Sequence, residues 1–428
     1  MITHPVLTAL TRNDARLGLN RMRSFLAFLG DPLAKMPVVH VAGTNGKGSV
    51  IRVLARVLGE AGVRVGEFTS PHLQRVNERI RVADREINDD DLDALLNELD
   101  SARQSWLVEL GGGEVHETSD LSFFEMLTAA GLVYFARQSV DVALVEVGLG
   151  GRLDATNLVE PLVSAIVTVS RDHEAQLGSD LASIASEKAG IIKPGRPVVV
   201  GRVPPDALKV IRLFASERDA EMYVADEDYR ILHSESARFS WASANLSLLD
   251  LPLNLNGEHQ IENASVALAI LRVLRDAFPV TEAQIRAGLS TVQHIGRLEW
   301  VAEDVLLDSA HNGDGAATLS RFLGTLPRDR PRTLLLGVGQ DKDVRAIVVQ
   351  LAGQVDQVLT THCSHRKASK AAEVAHELVG FDLPVLPAGP IEQALPLARN
   401  GGALVIVAGS VFIAGAARDI VEGTAAAS

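Results

Sequence analysis

The chain has 428 residues, 47% of them hydrophobic, and a formal net charge of −13, which suits two or three globular domains with sizeable cores. The acidic balance, without a long basic run, excludes nucleic acid as the main ligand, and no apolar run is long enough to span a membrane. A lone cysteine, Cys363, rules out an internal disulfide and any multi-cysteine metal site, and fits a reducing compartment.

The first residues lack a basic segment leading into an apolar one, so no secretory signal is expected and the cytoplasm is. Pro37–Ala42, Val63–Phe68, Val142–Val147 and Leu162–Val169 are short β-branched runs of the buried-strand type. Helical patterns over Lys47–Ala61 and Asp120–Ala136 separate several of them. The alternation predicts an α/β fold with a mostly parallel, doubly wound sheet. Residues 222–256 alternate more and predict a small antiparallel patch. A helix is expected from Glu258 to about Phe278. A second α/β cycle follows Gly296, with strands over Val305–Asp308, Arg332–Leu336, Gln357–Thr361, Leu383–Leu386 and Ala403–Val407. The domain boundary is placed near Ile295, giving residues 1–295 and 296–428.

Between the first strand and its helix lies Gly43-Thr44-Asn45-Gly46-Lys47-Gly48-Ser49. Such a loop sets backbone N–H groups, a lysine charge and a helix N-terminus around one polyphosphate, and leaves Ser49 to hold magnesium. The alternative is an ordinary strand-to-helix turn. The loop departs from G-x-x-x-x-G-K-[ST]: Gly48 separates Lys47 from the hydroxyl, and Val41 stands where the first glycine belongs.

Glu146 ends a buried strand before Val147-Gly148-Leu149-Gly150-Gly151. A carboxylate there faces the ligand crevice and could bind magnesium; otherwise it is a solvated strand-end glutamate. His173 follows another strand end, but magnesium prefers oxygen and a lone histidine is more often structural. Lys188, in Glu187–Ile191, reads by its chemistry alone as a solvated lysine near a helix C-terminus, where a cation is favourable. Asp308, His311 and Asn312 make a polar strand end able to meet a nucleotide or to cap a turn. Arg297 is either a phosphate contact or a surface side chain.

Together these pieces resemble one family, the folylpolyglutamate synthases and dihydrofolate synthases within the Mur ligases. The resemblance runs through Arg16–Met22, His40–Val50, Thr69–Leu73, Asn77–Ile80, Ser122–Glu125, Glu146–Asn157, Asp172-His173, Glu187–Ile191, Gly257–Asn263, Gly296-Arg297, Leu307–Asn312 and Gly409-Ser410. It implies a Mur-ligase-like P-loop ATPase domain and a smaller C-terminal Rossmann-like α/β domain. It also implies that Lys47 and the amides of Gly43 to Ser49 hold ATP. Ser49 with Glu146 would bind one magnesium ion, and His173 with Glu146 a second. Lys188 would be carbamylated and orient the second ion, so that Lys47, Lys188 and His173 serve catalysis. Asn263, Arg297, Asp308 and His311 match positions that touch ATP. Ser70, Pro71, His72 and Asp154 match segments near the pterin substrate. The C-terminal domain would carry the glutamate site, with Ser410, His362 and Ser364 in the matching regions.

The implied reaction joins L-glutamate to dihydropteroate or to folates through an acyl phosphate, in a monomer. The alternatives are a cell-wall or amino-acid-polymer ligase of the Mur type, or a P-loop ATPase switch. Gly313 stands where the family usually has proline, which is expected to loosen that turn.

Overall fold

The computed structural model describes residues 4–10, 18–32, 36–110, 120–172, 174–178, 180–235 and 237–426. The chain divides into two units: residues 2–254 with 260–292, here the N-terminal unit, and residues 255–259 with 293–428, the C-terminal unit.

The N-terminal unit is built on an eight-stranded sheet. Its strands are β1 (Val38–Ala42), β2 (Val65–Phe68), β3 (Ile80–Val82), β4 (Arg85–Glu86), β5 (Val142–Glu146), β6 (Val163–Ile166), β7 (Val198–Val200) and β8 (Met222–Val224). Their order is β4-β3-β2-β5-β1-β6-β7-β8. Neighbours pair in parallel from β2 to β8, and β3 and β4 are antiparallel additions at one edge. β1 and β5 are buried at every residue. A parallel sheet covered on both faces selects such continuous apolar runs, which is why these strands were legible. In register, Val41 stands beside Glu146 on one side and Ala165 on the other. The loop after β1 therefore emerges between the ends of β5 and β6.

The helices Asp89–Glu109 and Phe123–Arg137 join a core that includes Phe25, Leu96, Leu127 and Phe135. A second cluster joins Ile166, Ile184, Val198 and Ile211, where the helices Leu181–Ala189 and Pro205–Glu217 meet the β6–β8 side. The second of the expected helices starts at Phe123 rather than Asp120, because Ser122 caps it. The Ser122 hydroxyl accepts the Glu125 N–H at 3.3 Å and Glu125 accepts the Ser122 N–H at 2.8 Å, a reciprocal capping box.

The alternating stretch over 222–256 divides. Met222–Val224 joins the main sheet as its parallel edge strand, while β9 (Tyr229–Glu235), β10 (Arg238–Ser243) and β11 (Leu246–Pro252) form a separate antiparallel sheet. The helix expected to reach Phe278 ends at Val273.

The C-terminal unit has six strands: β12 (Glu299–Ala302), β13 (Val305–Leu307), β14 (Arg332–Leu336), β15 (Gln357–His362), β16 (Val385–Pro390) and β17 (Leu404–Ala408), in the order β12-β13-β17-β14-β15-β16. Only the β12–β13 pair is antiparallel. β16 starts two residues after the expected Leu383 and carries Pro387 and Pro390. An edge strand tolerates them because its outer N–H groups need no partner. Among the described residues no helix is long and apolar enough to cross a membrane.

Candidate active site

The loop after β1 is bonded to the segment that leaves β6. The Thr168 hydroxyl donates to the Asn45 carbonyl and accepts the Asn45 N–H, both at 2.9 Å. The Thr44 hydroxyl donates to the Ser170 carbonyl at 3.1 Å and accepts the Ser170 N–H at 3.0 Å. Gly43 permits this approach, since a Cβ there would stand 3.2 Å from the Thr168 nitrogen. Gly46 has φ +86°, a conformation that glycine adopts without strain. A Cβ on it would overlap Asn263 Oδ1. Asn263, buried on the helix Glu258–Val273, thus packs directly on the loop, with its Nδ2 donating to Gln260 at 3.0 Å.

Lys47 opens the helix Lys47–Glu60, with Gly48 and the buried Ser49 in its first turn. First-turn N–H groups have no intrahelical acceptor, which makes this end a receiver of anions. Lys47 Nζ donates to the Gly43 and Thr44 carbonyls at 2.9 and 3.2 Å, and lies 3.9 Å from Glu146 Oε1. The segment thus sets first-turn N–H groups beside a lysine held by the loop's own carbonyls, an arrangement able to receive an anion.

Glu146 ends β5 and is only 4% exposed, so it is not a solvated strand-end glutamate. Its Oε2 accepts the Ser70 N–H at 3.0 Å. That bond brings Ser70-Pro71-His72 to the same strand end. Behind it, the Glu78 carboxylate accepts the N–H groups of Leu73, Gln74 and Arg75 at 2.6, 2.7 and 2.6 Å, which shapes the turn after Pro71. His72 Nδ1 accepts the Arg79 Nε–H at 2.9 Å.

Lys188 lies in the helix Leu181–Ala189 and is 3% exposed, so it is not a solvated lysine either. Burial, then the nearby Lys47 charge, push its amine down to about 7, with Asp172 opposing. Close packing brings this helix to the glycine run after Glu146. A Cβ on Gly151 would overlap the Glu187 carbonyl, and one on Gly190 would overlap Arg152. The Arg152 N–H bonds the Glu187 carbonyl at 2.8 Å, and Asn157 Nδ2 bonds the Gly190 carbonyl at 3.1 Å. The Gly148–Asn157 and Glu187–Ile191 motifs are thus one packed piece.

Asp154 sits inside that piece. It accepts the Leu149 N–H at 2.8 Å, the Thr156 N–H at 3.0 Å and the Thr156 hydroxyl at 2.5 Å. Burial raises its pKa against these bonds. The sequence puts Asp154 near the substrate; its contacts here hold the Gly148–Gly151 loop. His173 lies outside the described residues.

The C-terminal unit gathers the remaining residues at the carboxyl ends of its parallel strands. Asp308 follows β13, is buried, and accepts the N–H groups of Leu298 at 3.0 Å and Ala310 at 2.8 Å. Burial raises its carboxyl, and Arg297 and His311 pull it back. His311 Nδ1 pairs with the Ser309 carbonyl at 2.9 Å, so in the neutral ring Nε2 is the acceptor. Ser410 follows β17, and its hydroxyl accepts the Phe412 N–H at 3.2 Å. The Gly409 N–H bonds the Ala310 carbonyl at 2.8 Å, which sets Ser410 beside the Asp308–His311 loop. The sequence reading gives no role to Thr168, Ser170, Asp172 or Arg79. The available signal was their position in or beside strand ends already marked as polar.

Comparison with known proteins gives the same direction. Residues 296–411 match the Mur ligase, glutamate ligase domain family. The dihydrofolate synthase/folylpolyglutamate synthase of Bacillus subtilis is 38% identical over 316 residues, 72% of this chain and 72% of that one. The chain belongs to the folylpolyglutamate synthase/dihydrofolate synthase family. It is therefore an ATP-dependent acid–amino-acid ligase, and neither a cell-wall ligase nor an ATPase switch. The folylpolyglutamate synthase of Mycobacterium tuberculosis complexed with ADP superposes with a TM-score of 0.90 at 32% identity, covering 97% of this chain and 98% of that one. Escherichia coli FolC in complex with DHPP and ADP gives 0.88 at 30% identity, with 99% of each chain covered. The fold expected of a folylpolyglutamate synthase, with mostly parallel α/β sheets in two units, is the fold observed.

Proposed function

We propose that the protein uses ATP to join L-glutamate to the carboxylate of dihydropteroate, of folates, or of both. The observation that carries this reading is the convergence at one strand end. The anion cradle with Lys47, the buried Glu146 bonded to Ser70, and the buried amine of Lys188 all meet there. The Escherichia coli relative holds DHPP and ADP together, which supports the same pairing of ligands here.

A carboxylate oxygen is a poor leaving group, so the acid needs activation. The substrate carboxylate attacks the γ-phosphorus of ATP, giving an acyl phosphate and ADP. The α-amine of glutamate then attacks the acyl carbon, the tetrahedral adduct loses a proton, and phosphate leaves. In this reading Lys47 and the amides of Gly43 to Ser49 hold the phosphates and offset their charge. Asn263 of the N-terminal unit, and Arg297, Asp308 and His311 of the C-terminal unit, are nucleotide contacts in this reading. Ser70, Pro71 and His72 line the pterin side, with Asp154 acting through the loop it holds. Ser410 stands on the glutamate side.

Magnesium fits the donor set, because the Ser49 hydroxyl and the Glu146 carboxylate are hard oxygens. Among the described residues no three His, Cys, Asp or Glu side chains cluster to hold a metal, so such an ion would share its shell with phosphate oxygens and water. When bound it supplies positive charge where phosphate and carboxylate must approach. His173 with Glu146 is the proposed site of a second ion. The low basicity of Lys188 favours the neutral amine, which adds carbon dioxide and releases a proton to give a carbamate. That change puts an anion beside Lys47 in place of a neutral amine. A cytoplasmic monomer completes the reading.

The test is an end-point assay with ATP, magnesium and L-glutamate, offering dihydropteroate and a tetrahydrofolate monoglutamate separately. One added glutamyl unit by mass spectrometry in either tube supports the reading, and product in both establishes a bifunctional enzyme. Phosphate release without any glutamylated product would overturn it.

A further inference from the structure

Arg79 is a buried cation with an unfinished set of partners. It lies just before β3 and is 7% exposed. Among the described residues the one hydrogen bond of its side chain runs from Nε to His72 Nδ1. Neither nearby carboxylate neutralises it directly. Glu78 is taken up by the three N–H groups of the Leu73–Arg75 turn. Glu146 takes the Ser70 N–H and faces Lys47. The guanidinium carbon stands 5.4 Å from the centre of the Phe123 ring, a face that attracts the charge but completes no pair of N–H···O bonds.

The same chain shows how other arginines taken largely out of water end, the half-buried Arg52 and the buried Arg332. Arg52 pairs with Glu67 at 2.7 Å and with Asp84 at 2.8 Å. Arg332, 1% exposed, sends its terminal nitrogens to the carbonyls of Leu323, Leu326 and Pro327 at 2.9, 2.8 and 3.0 Å. A buried charge is retained when something pairs with it. At Arg79 both terminal nitrogens lack an acceptor among the described residues, on the segment that carries Ser70 to Glu146.

We propose that Arg79 binds the carboxylate of the pterin-bearing substrate, the group that ATP activates. This rests on the function proposed above. A guanidinium fork matches a carboxylate with two parallel N–H···O bonds. His72 holds Nε, so it positions the fork and leaves the two outer nitrogens for the ligand. The charge offsets repulsion between the incoming carboxylate and the polyphosphate, and the fork fixes which oxygen attacks. Burial pushes the guanidinium pKa down to about 10, opposed by Glu146 and Glu78, which leaves it charged at neutral pH.

The test uses the full-length enzyme, Arg79→Gln and Arg79→Lys. Two ligands are titrated: dihydropteroate, which has a single carboxylate, and its decarboxylated analogue. Arg79→Gln is expected to weaken dihydropteroate, and to raise its KM, on the order of 10- to 100-fold. The decarboxylated analogue and ADP should each change less than about twofold, since they never engage the fork. Arg79→Lys, which keeps the charge but loses the fork, should fall between. Equal weakening of both pterin ligands would make Arg79 a pocket wall and overturn the proposal; so would unchanged binding of dihydropteroate. If Arg79→Gln does not fold, the same comparison on Arg79→Lys decides. A wild-type enzyme that glutamylates no pterin substrate would overturn the function itself, a failure distinct from a working enzyme indifferent to Arg79.

Discussion

Lys47 and Lys188 sit at one strand end and differ in what surrounds them. Lys47 is held by two carbonyls and faces Glu146. Lys47→Ala is expected to lower turnover about 10²- to 10³-fold with the melting temperature near wild type; normal turnover would remove the loop from the mechanism. Among the described residues the Lys188 amine has no such support, and it falls from 10.5 to about 7. Between those values the unfolded chain binds the proton that the folded chain has released. Stability of the unmodified protein therefore rises with pH across that window and is lowest below about 7. Lys188→Met should stabilise the protein at pH 6 by up to about 5 kcal/mol, read by urea unfolding in carbon-dioxide-free buffer. Equal stability of variant and wild type would mean that no ammonium is buried there. Lys188→Ala should lose turnover and recover part of it with small carboxylates; full activity without them would rule out an essential carbamate.

At the scale of elements, glycine positions determine which motifs can touch. Gly151→Ala would drive a methyl into the Glu187 backbone, so it is expected to cost about 1–3 kcal/mol and to displace Lys188 along with the helix. An undiminished melting temperature would show that the two motifs are not packed as described. Gly313 is the first residue of the helix Gly313–Thr325, after the Asn312 cap, and a Cβ there meets only Ala346 at 3.7 Å or beyond. The first helical position suits proline, so the departure from the family costs order in the unfolded chain rather than a contact. Gly313→Pro should stabilise by about 0.4–1 kcal/mol, and destabilisation would show that the turn needs glycine. The helix Asp89–Glu109 has a start that is legible in the sequence. Asn88 accepts the Asp91 N–H at 2.8 Å, and three aspartates fill the first turn, the charge sign a helix start favours.

For the whole molecule, two histidines, His40 buried and His259 half-buried, link acid stability to both units. Burial, with Lys193 adding, pushes His40 of β1 down to about 3. Burial, with Arg297 and Arg321 adding, pushes His259 of the C-terminal unit to about 4. Both start from 6.5 when exposed. The unfolded chain takes up these protons first, so stability is full above about 6.5 and is lost as pH falls toward 3–4. The slope is about 1.4 kcal/mol per pH unit for each group. His259→Asn should flatten part of that slope in denaturant titrations between pH 7 and 5; an unchanged slope would mean that His259 titrates normally. Each unit has its own sheet and core cluster, so calorimetry is expected to resolve two transitions rather than one two-state event.

Order along the chain determined much of this protein. Apolar runs marked β1, β5 and β17, because a strand buried on both faces needs no partner's identity to be recognised. The Gly43–Ser49 loop and the Gly148–Asn157 run were legible because their chemistry is local. The tertiary structure decided the rest. It moved Met222–Val224 from the antiparallel patch into the main sheet, since strand pairing depends on a distant edge. It turned Asp154 inward to hold a loop, buried Glu146 and Lys188, for each of which a solvated side chain was one reading, and left Arg79 without a hydrogen-bonded carboxylate among the described residues. Burial and pairing belong to what packs around a residue, and residue spacing alone does not encode them.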